Sequence, residues 1–141
     1  LGGVYDATAV APLGDDTLLG DPHGVLRLDP DGAPRATWDV GGRVVDLQAS
    51  RDGRRVAVGL LDGDALVLRE DGEVLARLRG HLARVASVAF TEDGAWLVTG
   101  SWDATVRLWS LAELEEEPAA LEARLEAAWG RTWRDVLAEG R

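Results

Sequence analysis

The chain reads as an all-β protein of about three stacked four-stranded antiparallel sheets, followed by a short helical tail. Three observations predict this class. Asp-Gly turns recur at a spacing of about forty residues, the length of four short strands with their connections. Between the turns, apolar and polar residues alternate as they do in half-buried strands. After Leu111 the alternation stops and strong helix formers take over.

Two families of turns set the period. Asp52-Gly53 and Asp93-Gly94 form one, with Gly14-Asp15-Asp16 as a degenerate earlier member, and Asp31-Gly32 and Asp71-Gly72 form the other. Asp-Gly between alternating apolar runs is a strong hairpin signal. The first unit places strands at Val4 to Ala11, Thr17 to Gly20, Val25 to Leu28 and Arg35 to Val40. The second places them at Arg43 to Ala49, Arg54 to Leu60, Ala65 to Arg69 and Val74 to Leu78. The third has Arg84 to Phe90, Trp96 to Ser101 and Thr105 to Leu111, with no obvious fourth strand. One unit alone leaves an apolar face in water, and stacking sheet on sheet hides it.

The stretch GSWDATVRLW, Gly100 to Trp109, is a hairpin in which Asp103 and Ala104 make the turn. Beyond it, Val106 and Leu108 point one way, while Thr105, Arg107 and Trp109 point the other. Bulk on both faces suits a strand packed between two neighbours.

The longer stretch GHLARVASVAFTEDGAWLVTGSWDATVRLWS, Gly80 to Ser110, resembles one repeat of the WD-repeat β-propeller family. It has the Gly-His start, the Val-x-Ser-Val-Ala-Phe strand, the Asp-Gly turn, the Thr-Gly-Ser strand end and the Asp-x-Thr-Val-x-x-Trp finish. Ser110 departs from the pattern, standing where Asp usually follows the Trp. The two earlier units match in period and turn placement only. The resemblance implies propeller blades over 1–111 (about 4–40, 43–79 and 80–111) and a separate helical tail over 112–141. Three blades fall short of the usual range of roughly four to eight. The shortfall admits missing N-terminal units, self-assembly of copies to complete the ring, or an open stack. The missing units are preferred, because the chain contains no Met and Leu1-Gly2-Gly3 resembles no processed start.

The resemblance also implies a buried hydrogen-bonded network of His81, Thr99, Asp103 and Trp109. Its chemistry stands on its own. A buried Asp is costly unless hydrogen-bonded, an imidazole N–H suits it, and a Thr hydroxyl can link the other ring nitrogen to an indole N–H. Ser101 competes with Thr99 for the hydroxyl role. The place of Trp109 falls approximately at Arg69 in the second unit and Asp29 in the first. Neither of those units begins with a His, so both rely on apolar packing. A Thr, a His and an Asp in one unit can also be read as a hydrolytic triad, but no nucleophile elbow or oxyanion-hole loop accompanies them. His23 reads as an exposed turn residue.

Composition narrows the function. The net charge of −10 argues against nucleic acid and anionic membrane surfaces as partners. No cysteine is present and only His23 and His81 are available, so a multi-histidine metal site is excluded within the chain. All basic residues are Arg, and Lys, Asn and Ile are missing, a bias expected of a GC-rich bacterial genome. The expected function is a non-catalytic protein–protein interaction scaffold, the C-terminal part of a longer propeller or of a multidomain regulatory protein, cytoplasmic, with other proteins as partners and no cofactor. The alternative is a propeller enzyme or metal-dependent hydrolase using channel acids such as Asp46 or Asp6.

Trp102 occupies the variable turn position, where its side chain reaches the end surface, and with Arg84 it forms a candidate contact surface. In the tail, Pro118 suits a first helical position. Leu121, Leu125, Ala128 and Trp129 follow helical spacing, and a second short helix carries Trp133, Val136 and Leu137. Trp129 and Trp133 join the candidate partner surface.

Overall fold

A computed structural model describes residues 5–114, and the chain divides into two units, Leu1–Ser110 and Leu111–Arg141. In the first unit, three antiparallel meanders follow one another. The first holds β1 (Ala9–Leu13), β2 (Asp16–Gly20), β3 (Gly24–Leu28) and β4 (Pro34–Asp39). The second holds β5 (Val44–Ala49), β6 (Arg55–Leu60), β7 (Ala65–Arg69) and β8 (Val74–Leu78). The third has β9 (Val85–Phe90), β10 (Trp96–Ser101) and β11 (Val106–Ser110).

The strands lie where the alternation puts them, except the first. Val4 to Ala11 was the expected span, but β1 starts at Ala9 and continues through Pro12 to Leu13. Pro12 lacks an N–H, which is tolerable because β1 is an edge strand paired only with β2. The turns repeat in atomic detail. Ser50 Oγ donates to Asp52 Oδ1 at 2.7 Å, and Thr91 Oγ1 donates to Asp93 Oδ1 at 2.6 Å. The following Gly53 and Gly94 take φ of 72° and 70°, the left-handed region that glycine enters freely.

Gly20, Gly59 and Gly100 occupy the same register, opposite Ala9, Asp46 and Ser87 in their sheets. The first two are where sheets touch. A Cβ on Gly20 would lie 2.3 Å from Val44 Cγ1, and one on Gly59 would lie 2.9 Å from Val85 Cγ1. The main core lies between the first two sheets, where Leu18, Val25 and Trp38 meet Val44, Leu47, Val58 and Leu68. At an outer corner of the first sheet the buried Asp16 accepts from Arg27 Nε at 2.5 Å and Arg35 Nη1 at 2.8 Å. The Arg27 hydrogen bond is the main reason its carboxyl titrates below the usual range.

In the second unit, Ala112–Leu114 forms a single 3₁₀ turn. The helices expected from Pro118 onward, with Trp129 and Trp133, and the less favoured strand over Ala119 to Leu125, lie outside the described residues.

Candidate functional site

The third sheet holds a continuous hydrogen-bonded chain. Trp109 Nε1–H donates to Thr99 Oγ1 at 2.9 Å, and that oxygen lies 2.7 Å from His81 Nε2. His81 Nδ1 lies 2.9 Å from Asp103 Oδ2. A carboxylate only accepts, so His81 Nδ1–H donates to Asp103, and an indole only donates, so Thr99 Oγ1 accepts from Trp109 and shares its remaining hydrogen-bonding capacity with His81 Nε2.

Asp103 is the hub. Its Oδ2 also accepts the Leu82 N–H at 2.9 Å, while Oδ1 accepts the Thr105 hydroxyl at 2.5 Å and the Thr105 N–H at 2.8 Å. The Thr105 hydroxyl bond is the largest influence holding this carboxyl far below the ordinary carboxylate range. Burial opposes it, and the Leu82 N–H and His81 reinforce it. The arrangement ties the loop entering β9 to the β10–β11 turn. Ala104 in that turn takes φ of 68°, the one positive value for a non-glycine among the described residues.

Ser101 does not compete with Thr99. Its hydroxyl donates to Ala83 O at 3.0 Å and accepts the Asp103 N–H at 3.1 Å, a second tie between the same loop and turn. Thr105 is the member that sequence reasoning missed.

The order Thr99–His81–Asp103 matches a hydrolytic triad in outline, but the surroundings oppose catalysis there. Thr99 is wholly buried and its oxygen is occupied by the indole N–H, so no substrate carbonyl can approach it. Asp46 is likewise engaged. Its Oδ2 accepts the Val88 N–H at 2.9 Å, and Gln48 Oε1 accepts the Phe90 N–H at 2.8 Å. These β5 side chains satisfy the open edge of β9 in the next sheet. Asp6 is exposed and lines a cavity of about 140 Å³ with Tyr5, Leu19, His23 and Leu26. His23 is exposed in its turn, where its N–H donates to Asp21 Oδ1 at 2.6 Å.

Pairing register corrects the positions equivalent to Trp109. Leu97 faces Trp109, Val56 faces Leu68 and Thr17 faces Leu28. The equivalents are therefore Leu68 and Leu28, not Arg69 and Asp29. By the same alignment Val58 stands for Thr99 and Val40 for His81, all of them buried. The second sheet thus uses an apolar set where the third uses a polar one.

At the end surface, the Arg84 guanidinium carbon lies 3.9 Å from the centroid of the Trp102 ring, and the Trp102 N–H donates to Arg84 O at 3.2 Å. Trp102 is 68% exposed and Leu82 92%. Arg84 also shares a depression of about 360 Å³ with Thr8, Arg43 and Leu61. Among the described residues there is no group of three or more His, Asp or Glu placed to hold a metal ion, and no helix long and apolar enough to cross a membrane.

Similarity to known proteins covers part of the chain. A Periodic tryptophan protein 2 homolog of Neurospora crassa is 43% identical over 42% of this chain and 7% of that protein. Guanine nucleotide-binding protein subunit beta of Schizosaccharomyces pombe is 53% identical over 27% of the chain and 12% of the relative. The Saccharomyces cerevisiae subunit beta is 38% identical over 48% of the chain and 16% of the relative. The chain thus matches only a small part of each relative's length. Residues 72–110, which carry β8 to β11 and the whole His81–Asp103–Thr99–Trp109 constellation, match the family model described as WD domain, G-beta repeat.

Proposed function

We propose that the chain is a non-catalytic protein-interaction scaffold of the WD-repeat type. The observation that carries this is the end surface, where Arg84 lies against an exposed Trp102 beside exposed Leu82. A cation held against an aromatic face is worth about 0.5–1 kcal/mol at an exposed site. The contact pre-orders two residue types that dominate binding energy at interfaces. The polar network beneath fixes the loop and the turn that carry them. Other proteins are the partners this surface fits, and the acidic balance of −10 weighs against nucleic acid. A cytoplasmic location belongs to the same proposal. So does a bacterial origin, which rests on the Arg-only basic composition, although the relatives named above are fungal.

The test immobilises the wild-type chain and its Trp102→Ala and Arg84→Ala variants and identifies captured proteins by mass spectrometry. The proposal expects a shared partner to be reduced about tenfold or more in both variants, with unchanged unfolding midpoints. Equal recovery on all three would count against the surface. A metal-dependent hydrolysis abolished by Asp46→Ala would instead favour the enzymatic reading.

A further inference from the structure

The second and third sheets carry the same device at one end. The Leu61 N–H donates to Arg43 O at 3.0 Å, as the Trp102 N–H does to Arg84 O at 3.2 Å. Leu61 follows Gly59 by two residues as Trp102 follows Gly100, so the two arginines leave equivalent points of neighbouring sheets. Both line the depression of about 360 Å³, with half-buried Val45 and exposed Leu61 beside them. The first sheet lacks the device, since Asp6 and Pro22 hold these places and a proline has no N–H to give.

Neither arginine is neutralised within the described residues. Arg27, Arg51, Arg69 and Arg77 each pair with a carboxylate, whereas Arg43 and Arg84 have no such partner there. The acids that follow Leu61 and Trp102 are engaged elsewhere, Asp62 with Arg77 at 3.4 Å and Asp103 with His81 and Thr105. Arg84 is instead held over the Trp102 ring, which positions the cation without consuming its N–H donors.

We propose, resting on the interaction-surface reading above, that this rim takes an acidic segment of a partner protein. One carboxylate meets Arg84, a second meets Arg43, and an apolar side chain between them rests on Val45 and Leu61. A guanidinium fork fits a carboxylate with two parallel N–H···O bonds, stronger than neutral ones. Pre-ordering of Arg84 by Trp102 lowers the cost of immobilising a long side chain on binding. The net charge of −10 repels an extended polyanion. Recognition therefore rests on a few short-range contacts, which favours a short acidic peptide over nucleic acid.

The experiment selects short random peptides displayed on phage against the immobilised full chain. Fluorescence anisotropy then measures the commonest peptide, and its version with every Asp and Glu replaced by the amide. The proteins compared are the wild type, Arg43→Gln, Arg84→Gln and Trp102→Ala, with urea unfolding to check that each variant folds. The proposal expects peptides with at least two acids around an apolar residue. Each Arg→Gln variant should bind the commonest about tenfold or more weakly, and the amide version should lose at least as much on the wild type. Selected peptides without an acidic excess that still need Trp102 overturn this proposal and leave the interaction surface standing. Peptides indifferent to all three substitutions, or no recurrent peptide, overturn this proposal and count against the surface too. An oligothymidylate that binds the wild type and is lost in both arginine variants makes the rim a nucleic-acid site, and overturns the proposal as well.

Discussion

The indole of Trp109 donates to the wholly buried hydroxyl of Thr99 at 2.9 Å, and the same hydroxyl lies 2.7 Å from His81 Nε2. The indole contact converts three side chains with the composition of a hydrolytic triad into a strut. The strut ends on Asp103, which in turn holds the loop through the Leu82 N–H and the turn through Thr105.

Acid should loosen the third sheet. The folded state depresses the Asp103 carboxyl, chiefly through the Thr105 hydroxyl, so the unfolded chain takes up this proton first as pH falls. The stabilisation is complete above the unfolded value of about 3.9 and is lost as the pH drops from there through the lower folded value. Asp103→Asn is expected to flatten the acid limb of a stability–pH curve measured by urea unfolding. It should not abolish that limb, since Asp16, Asp52 and Asp93 are depressed too. An unchanged acid limb would contradict the role given to Asp103.

Close approach of sheets predicts intolerance at Gly20. Its φ is not in the left-handed region, so the cost of Gly20→Ala is steric, from a methyl placed 2.3 Å from Val44 Cγ1. Overpacking of this kind costs about 1–3 kcal/mol. Adding Val44→Ala should recover part of the loss, measured as unfolding free energy of the single and double variants. Two losses that simply add would mean the two sites are not in contact.

Ala104 should be improvable. A left-handed φ of 68° costs a non-glycine residue about 1–2 kcal/mol, while glycine loses more chain entropy on folding, about 0.5–1 kcal/mol. Ala104→Gly is therefore expected to raise stability by about 0.5–1 kcal/mol. The second sheet already has Gly63 at this point of its turn, with φ of 98°. A drop in the unfolding midpoint would contradict the strain assigned here.

Much of this is legible in the sequence, for reasons particular residues make plain. His81, Thr99, Asp103 and Trp109 stand out because a polar set inside an apolar alternation has to be mutually satisfied. Thr105 does not stand out. Its hydroxyl meets Asp103 only because the backbone at Ala104 turns left-handed, and spacing carries no sign of that. Leu28 is displaced by one from the count because the first sheet's connection from Gly20 to Val25 is one residue shorter than its counterparts, whereas Leu68 keeps the third sheet's spacing from its turn. Asp46 reads as a bare channel acid until β9 is seen to offer it the Val88 N–H from the next sheet. Alternation shows that Val106 and Leu108 need a neighbour but not which one, since periodicity describes a strand and not what lies beyond it.

The central claim is that the His81–Thr99–Trp109 chain is a structural device interchangeable with the apolar set of the second sheet, Val40, Val58 and Leu68. Urea unfolding of Thr99→Val and of the triple variant His81→Val, Thr99→Val, Trp109→Leu tests it most directly. The single variant leaves the Nε2 of buried His81 and the half-buried indole of Trp109 without their Thr99 partner and should lose about 1–3 kcal/mol. The triple variant removes both stranded groups at once and should be more stable than the sum of the three single variants by about 1 kcal/mol or more. A triple variant no better than that sum would contradict the account, because the three side chains would then be acting independently.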